Sequence, residues 1–241
     1  QRLLKLLWSR LHHTNQMAAA DLLRAHQGLI ISLAELAESR DADTGAHLYR
    51  VRDHCTLLAK FLAADPRFAE QITPDFIEAI YYVSPLHDIG KVAIPDAILH
   101  KQGKLTEEEF EQVKSHTLIG ARSLDTVLKY CDLAMFRMAH DLVLGHHESY
   151  DGQGYPYGLK GNDIPLAARI MCVADYYDAI RSERVYKAAF SREEAISYIR
   201  EQAGRKFDPE IADIMLAHID EFEDIHNQYA ELDAPQERRG F

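Results

Sequence analysis

The sequence predicts an all-α fold, a helical bundle preceded by a separate N-terminal helix. Three observations point there. Helix-start signals recur along the chain. Thr73-Pro74 and Asp208-Pro209 put a capping side chain before a proline at the first helical position, and Thr106…Glu109 and Ser191…Glu194 fit capping boxes. Stretches 107–128, 133–147, 165–181 and 208–226 are amphipathic at helical spacing. Alternating strand patterns are nearly absent.

Taken in order, residues 1–40 form the first element, with no proline and one glycine, Gly28. Leu22, His26, Leu29, Leu33 and Leu36 step by four and three, the spacing of a heptad seam. Leu4, Leu7 and Leu11 continue it upstream, while Asn15 and Ala18 weaken it. Two readings stand: a helix packed on its own domain, or a coiled-coil linker that pairs two copies. Gln1 opens inside this helical pattern, so the chain is expected to continue a longer protein. Residues 41–229 form the main domain. Two segments break its helical pattern, 89–105 and 149–164, the second with four glycines and one proline. A long Gly/Pro-rich loop inside a helical domain is often functional. Residues 230–241 read as a loose polar tail.

Composition narrows the function. The 241 residues are 47% apolar, enough chain for a sizeable core. A formal charge of −11, from 38 acidic and 27 basic residues, argues against a DNA-binding face. No uncharged apolar run of ~18 residues exists to span a membrane, and three dispersed cysteines without a CxxC fit a reducing, cytoplasmic setting. The thirteen histidines carry the functional signal.

Five groupings matter. Asp43, His47 and Arg50 share a helical face at i, i+4 and i+7, as a metal site or as a surface stripe. His87-Asp88 is followed by Gly90, a candidate helix stop, and Lys91. His116 stands alone near a helix boundary. His146-His147-Glu148 runs into Asp151-Gly152-Gln153-Gly154-Tyr155-Pro156, where glycines let the backbone fold close to a ligand. Asp175 interrupts an apolar helix, with Asp178 one turn on as a competitor for its role. Downstream, Arg184 and Lys187 share a face, a phosphate grip or a solvated pair. Mixed imidazole and carboxylate ligation suits Fe, Mn, Zn or Ni. No GxSxG elbow, Walker loop or GxGxxG is present.

These residues resemble the HD superfamily of metal-dependent phosphohydrolases, and the longer signature resembles its HD-GYP branch. His87-Asp88-Ile89-Gly90-Lys91, Ile94-Pro95-Asp96, His116, His146-His147-Glu148 and Gly154-Tyr155-Pro156 occur in the family's order. Gly158 to Gly161, Ile164 to Ile170 and Phe207-Asp208-Pro209-Glu210 follow. The resemblance spans about residues 41 to 220. Asp43 stands where many members carry Glu, Gln102 replaces a usual Pro, and Arg181 and Val185 interrupt the stretch ending at Lys187.

The resemblance implies an HD-type bundle and a bacterial phosphodiesterase that cuts cyclic-di-GMP to linear pGpG, with slow further cleavage to GMP in some members. It implies His47, His87, Asp88, His116, His146, His147 and Asp175 as metal ligands, with Asp88 bridging and Asp43 a further candidate. Two divalent ions, or three, most commonly Fe or Mn with Zn, Ni or Mg as alternatives, would invert the negative field of the aspartates. Asp88 and Lys91 would be catalytic, and Lys91, Arg184, Lys187 and Tyr155 would contact substrate. Implied partners are an upstream receiver or sensor module, a second copy through the N-terminal helix, and a GGDEF-type protein. The alternatives are a catalytically silent cyclic-dinucleotide receptor or docking domain, and an HD-type mononucleotidase.

Overall fold

In the computed structural model, residues 13–14, 17, 24–25, 27–40, 46–183 and 188–233 are described below. The described residues hold helices and short 3-10 turns, and their single β-bridge joins Ala203 to Phe207. Residues 27–38 form α1. It is followed by α2 (His47–Ala64), α3 (Pro74–Val83), the short α4 (Asp96–Leu99), α5 (Glu107–Tyr130) and α6 (Ala134–Gly145). Then come α7 (Leu166–Arg181), α8 (Arg192–Gln202), α9 (Pro209–Ala217) and α10 (Ile219–Asp233).

The start signals work as the sequence predicts. The Thr73 side chain accepts from Phe76 N and Asp208 from Glu210 N, each ahead of its proline, and both capping boxes are formed. The 208–226 stretch is two helices rather than one. The chain turns at His218, whose ring stacks on Phe61 of α2 at 3.6 Å. α10 continues to Asp233, past the start of the expected tail.

α2 and α7 pack together at the centre, with α3 and α6 beside them. Ile170 to Ala174 of α7 are consecutively buried, so the helix is enclosed on all sides rather than amphipathic. Val51, Cys55, Leu58 and Leu62 of α2 meet it in the core. A polar group on the faces where these two helices meet, such as Asp178 and Arg50, is therefore shielded from water.

α1 packs one face on the domain, as the first reading of the N-terminal element expects. Ala34 and Ala37 are buried against the domain, whereas Leu29, Leu33 and Leu36 of the heptad are exposed. Leu22 and His26 lie outside the described residues.

Candidate metal centre

Each histidine of the site reaches it from a different kind of position. His47 opens α2. His87 and Asp88 sit between two 3-10 turns, Ser84–Leu86 and Ile89–Ala93, so the pair is not on a regular helix. Gly90 is not the helix stop expected. It lies within the second turn and its φ is not positive. A Cβ there would strike the His116 carbonyl and stand 2.7 Å from Gly120 N. The glycine lets the His87-Asp88 turn press onto α5, which brings Asp88 beside His116. His116 lies inside α5 rather than near its end, because the capping box starts that helix at Glu107. His146 ends α6 and His147 follows it.

Two sets of ligand-type atoms result. Asp88, His116, His146 and His147 form one, and His47, His87 and Asp175 the other, with the atoms of each within 4.8 Å of one another. Asp88 faces both: Oδ1 lies 3.2 Å from His116 Nε2 and 3.7 Å from His146 Nε2, and Oδ2 lies 3.3 Å from His87 Nε2. Asp175 Oδ1 is 3.8 Å from both His47 Nε2 and His87 Nε2.

The outer nitrogens explain this orientation. His87, His116 and His146 each direct Nδ1 at the carbonyl three residues earlier, on Ser84, Val113 and Val143, at 2.7–3.1 Å. His47 Nδ1 bonds Asp178 Oδ2 at 2.8 Å. Nδ1 is therefore the donor, and Nε2 is the nitrogen turned toward the centre. Asp178 is buried and also binds Arg50 Nε at 2.5 Å and Nη2 at 3.1 Å. The competition between the two aspartates is thus resolved by depth: Asp175 faces the centre, and Asp178 holds His47 and Arg50. Arg50 is buried, not part of a surface stripe.

The residues fit metal ions. His87 Nε2 and Asp88 Oδ1 are buried without a hydrogen-bond partner. At 3.8 Å, His47 and His87 are too far from Asp175 to hydrogen-bond it. Two ligands ~2.1 Å from one ion lie ~3.0–3.4 Å apart at octahedral or tetrahedral angles. The contacts of 3.2–3.8 Å around Asp88 and Asp175 are close to that edge length.

The titrations follow. Burial alone would raise Asp88, but the charges of Lys91 and His87, with the His116 and His146 rings beside it, hold it well below the usual carboxylate range. Burial, then the His146 and His116 charges, push His147 well down. Burial opposes charge on His47, yet Asp178, Asp175 and Glu38 outweigh it and raise the ring to about 9.

Lys91 Nζ pairs with Asp88 Oδ2 at 2.8 Å. Tyr155 lies beside the centre, its ring 4.8 Å from that of His147. Its loop folds back through Tyr155 N donating to the His147 carbonyl, while Glu148 accepts from Tyr157 N and Leu159 N. Gly154 makes the fold-back feasible: a Cβ there would lie 2.5 Å from both Glu148 Cα and the His147 carbonyl. Asp43, Arg184 and Lys187 lie outside the described residues.

Sequence reasoning missed Glu38. It ends α1 buried, one carboxylate oxygen without a hydrogen-bond partner, in the field of His47, Lys91, Asp88 and His87. Its neighbour Arg40 bonds the Ile94 carbonyl and Asp96, tying the end of α1 to the segment after Lys91. The heptad pattern carries no sign of either contact. The Arg50–Asp178 link did leave a signal, since Arg50 follows His47 and Asp178 follows Asp175 by the same three residues.

Among the described residues, no helix is long and apolar enough to cross a membrane. Comparison with known proteins adds the family. The chain is 45% identical over 87% of its length to a cyclic di-GMP phosphodiesterase of Vibrio cholerae. It is 37% identical over 84% of its length to that organism's 3'3'-cGAMP-specific phosphodiesterase 2. It spans 44% and 36% of these relatives, so each is more than twice as long as the matched part. The crystal structure of a cyclic GMP-AMP specific phosphodiesterase of V. cholerae shares the fold, with a TM-score of 0.56 over 85% of this chain and 50% of that one, at 16% identity. Residues 73–211 match the HD domain family. That match takes in His87-Asp88 and, apart from His47, every ligand-type residue of the two sets, and the chain belongs to the HD domain family.

Proposed function

We propose that this chain is the catalytic module of a phosphodiesterase that hydrolyses cyclic-di-GMP to linear pGpG, with GMP as a slow second product. The observation that carries the reading is Asp88, whose two oxygens face separate histidine groups. His47, His87 and Asp175 would hold one divalent ion and His116, His146 and His147 another, with Asp88 within reach of both. Fe or Mn suits this donor set. Asp43 is the candidate for a third ion. When bound, the ions supply Lewis acidity at the phosphoryl oxygens and acidify the attacking water.

The protein's own residues do the rest. Asp178 and the three carbonyls lock the imidazoles, so the centre needs no rearrangement during reaction. Lys91 shares Asp88 Oδ2 with the His87 side of the centre. With the centre loaded, the Lys91 ammonium would point at the scissile phosphate and neutralise charge developing there. Tyr155 borders the nucleotide, and Arg184 and Lys187 grip phosphate oxygens. Residues 41–229 form this module. Residues 1–40 link it to an upstream receiver or sensor, with Leu29, Leu33 and Leu36 the seam for a second copy, and 230–241 is a tail. A GGDEF-type protein is a further partner, and the setting is cytoplasmic.

The relative named for 3'3'-cGAMP supports a second substrate reading, the hybrid cyclic dinucleotide. Incubating the Fe- or Mn-loaded protein with each dinucleotide and resolving the products tests both. Linear pGpG from cyclic-di-GMP is expected. Binding without cleavage would leave the silent-receptor reading, and cleavage of only the hybrid would reassign the substrate.

A further inference from the structure

One lysine beside the centre has no carboxylate partner among the described residues. The chain makes a tight turn at 202–207: the Gln202 carbonyl accepts from the amides of Arg205, Lys206 and Phe207, and Gly204 takes φ +78°. This turn is joined to the Gly-rich loop. Tyr150 N donates to the Lys206 carbonyl and Asp151 N to that of Arg205, at 3.1 and 2.8 Å. The same loop carries Tyr155, so the turn and the wall of the site are one unit.

The Lys206 side chain is half-buried, with its ammonium 4.2 Å from the centre of the Tyr176 ring. Tyr176 is a fixed platform. It stacks on Tyr198 at 5.3 Å, bonds it through the hydroxyls at 2.9 Å, and meets Phe207 edge-on. It also directly follows Asp175, a residue of the metal centre. The charge of Lys206 acts on His147 at the other group of ligands. Lys91 and Lys114, which flank the same centre, pair with Asp88 and Glu111. Among the described residues, no carboxylate lies within ion-pair distance of Lys206. A flexible ammonium held on an aromatic face, with no carboxylate of the described residues against it, is ordered for an anion from outside.

We propose that Lys206 is a substrate-specificity residue that binds the second phosphate of the cyclic dinucleotide, the one not being cut. The assignment rests on the proposed phosphodiester reading and deepens it. A cyclic dinucleotide presents two phosphates on opposite sides of its ring. The metal centre and Lys91 answer one of them, and the Lys206 ammonium beside Tyr176, together with the proposed grip of Arg184 and Lys187, answers the other. A monophosphate diester offers nothing to that charge, which gives the module a physical basis for preferring a dinucleotide.

The test is steady-state hydrolysis of cyclic-di-GMP by Lys206→Ala, Lys206→Gln and Lys206→Arg, each metal-loaded, with binding of linear pGpG measured by calorimetry. Loss of one charge-assisted phosphate contact should raise KM roughly tenfold in the Ala and Gln variants, with kcat within about twofold. Binding of pGpG should weaken by a similar factor, and Arg should restore both. An unchanged KM in Lys206→Ala, or a fall in kcat alone, would overturn the proposal. Rescue by Gln as complete as by Arg would assign Lys206 to a guanine edge and overturn it as well. Wild-type protein that leaves cyclic-di-GMP intact would remove the underlying reading. Wild-type cleavage with an unaffected Ala variant would remove the Lys206 assignment alone.

Discussion

Asp178 separates the stability of the domain from the assembly of its centre. It is buried, accepts from both Arg50 Nε and Nη2, and receives His47 Nδ1. Asp178→Ala removes the carboxylate opposite a guanidinium that is 1% exposed. Breaking such a pair from one side costs about 3–5 kcal/mol, against a total stability of ~5–15 kcal/mol. At ~2–4 °C per kcal/mol for a domain of this size, Tm should fall by roughly 6–20 °C. Asp178→Asn keeps an acceptor but not the charge. It should lose less stability, while metal affinity drops ~10–100-fold because the His47 ring is no longer held in one tautomer. The double variant Arg50→Met with Asp178→Asn removes the buried guanidinium, so it should regain stability without regaining metal affinity. Thermal melts with chelator present and competitive metal titrations measure the two quantities separately. Metal affinity within twofold of wild type in Asp178→Asn would refute the reasoning, as would recovery of both properties in the double variant.

Three further outcomes follow from named contacts. Gly154→Ala must move its new Cβ by about 1.2 Å to reach ordinary contact at 3.4 Å, since it starts 2.2 Å from Ser149 N and 2.5 Å from Glu148 Cα and the His147 carbonyl. Displacing the Tyr155 loop by that much should cost ~10²-fold in kcat/KM with metal content retained, and equal activity would show that the loop does not shape the site. Lys91→Ala should leave metal content unchanged and lower kcat; loss of an ion instead would make Lys91 a structural support for Asp88. Metal-free protein should lose stability as pH rises. His47 is raised from 6.5 to about 9, so its contribution is complete below about 6.5 and is lost as pH passes about 9. The shift of about 2.5 units corresponds to ~3 kcal/mol. Melts in chelator across that range should show the decline in wild type and little of it in His47→Gln; a flat wild-type curve would contradict the assignment.

Much of the fold was legible because its helix starts are encoded locally. Thr73, Thr106, Ser191 and Asp208 each cap the helix that the sequence assigned to them. The break at His218 was not legible, since helical periodicity runs through it and the turn accompanies stacking on a distant helix. The candidate ligands could be named from residue types and order. Their division into two groups sharing Asp88 could not, because it depends on Gly90 meeting α5, a contact between residues 26 positions apart. Asp178 and Asp175 are equivalent in sequence terms and differ only in which one α2 covers. Glu38 and Lys206 gave no local signal, because each gains its meaning from a surface folded elsewhere in the chain.

The central claim is that Asp88 joins two cations in one centre. Anomalous diffraction from crystals of the Mn-loaded protein tests it most directly. One peak is expected among His47, His87 and Asp175 and a second among His116, His146 and His147, with Asp88 Oδ1 and Oδ2 each bonded to a different ion. A single peak, or two peaks with Asp88 bonded to neither or to only one, would contradict it.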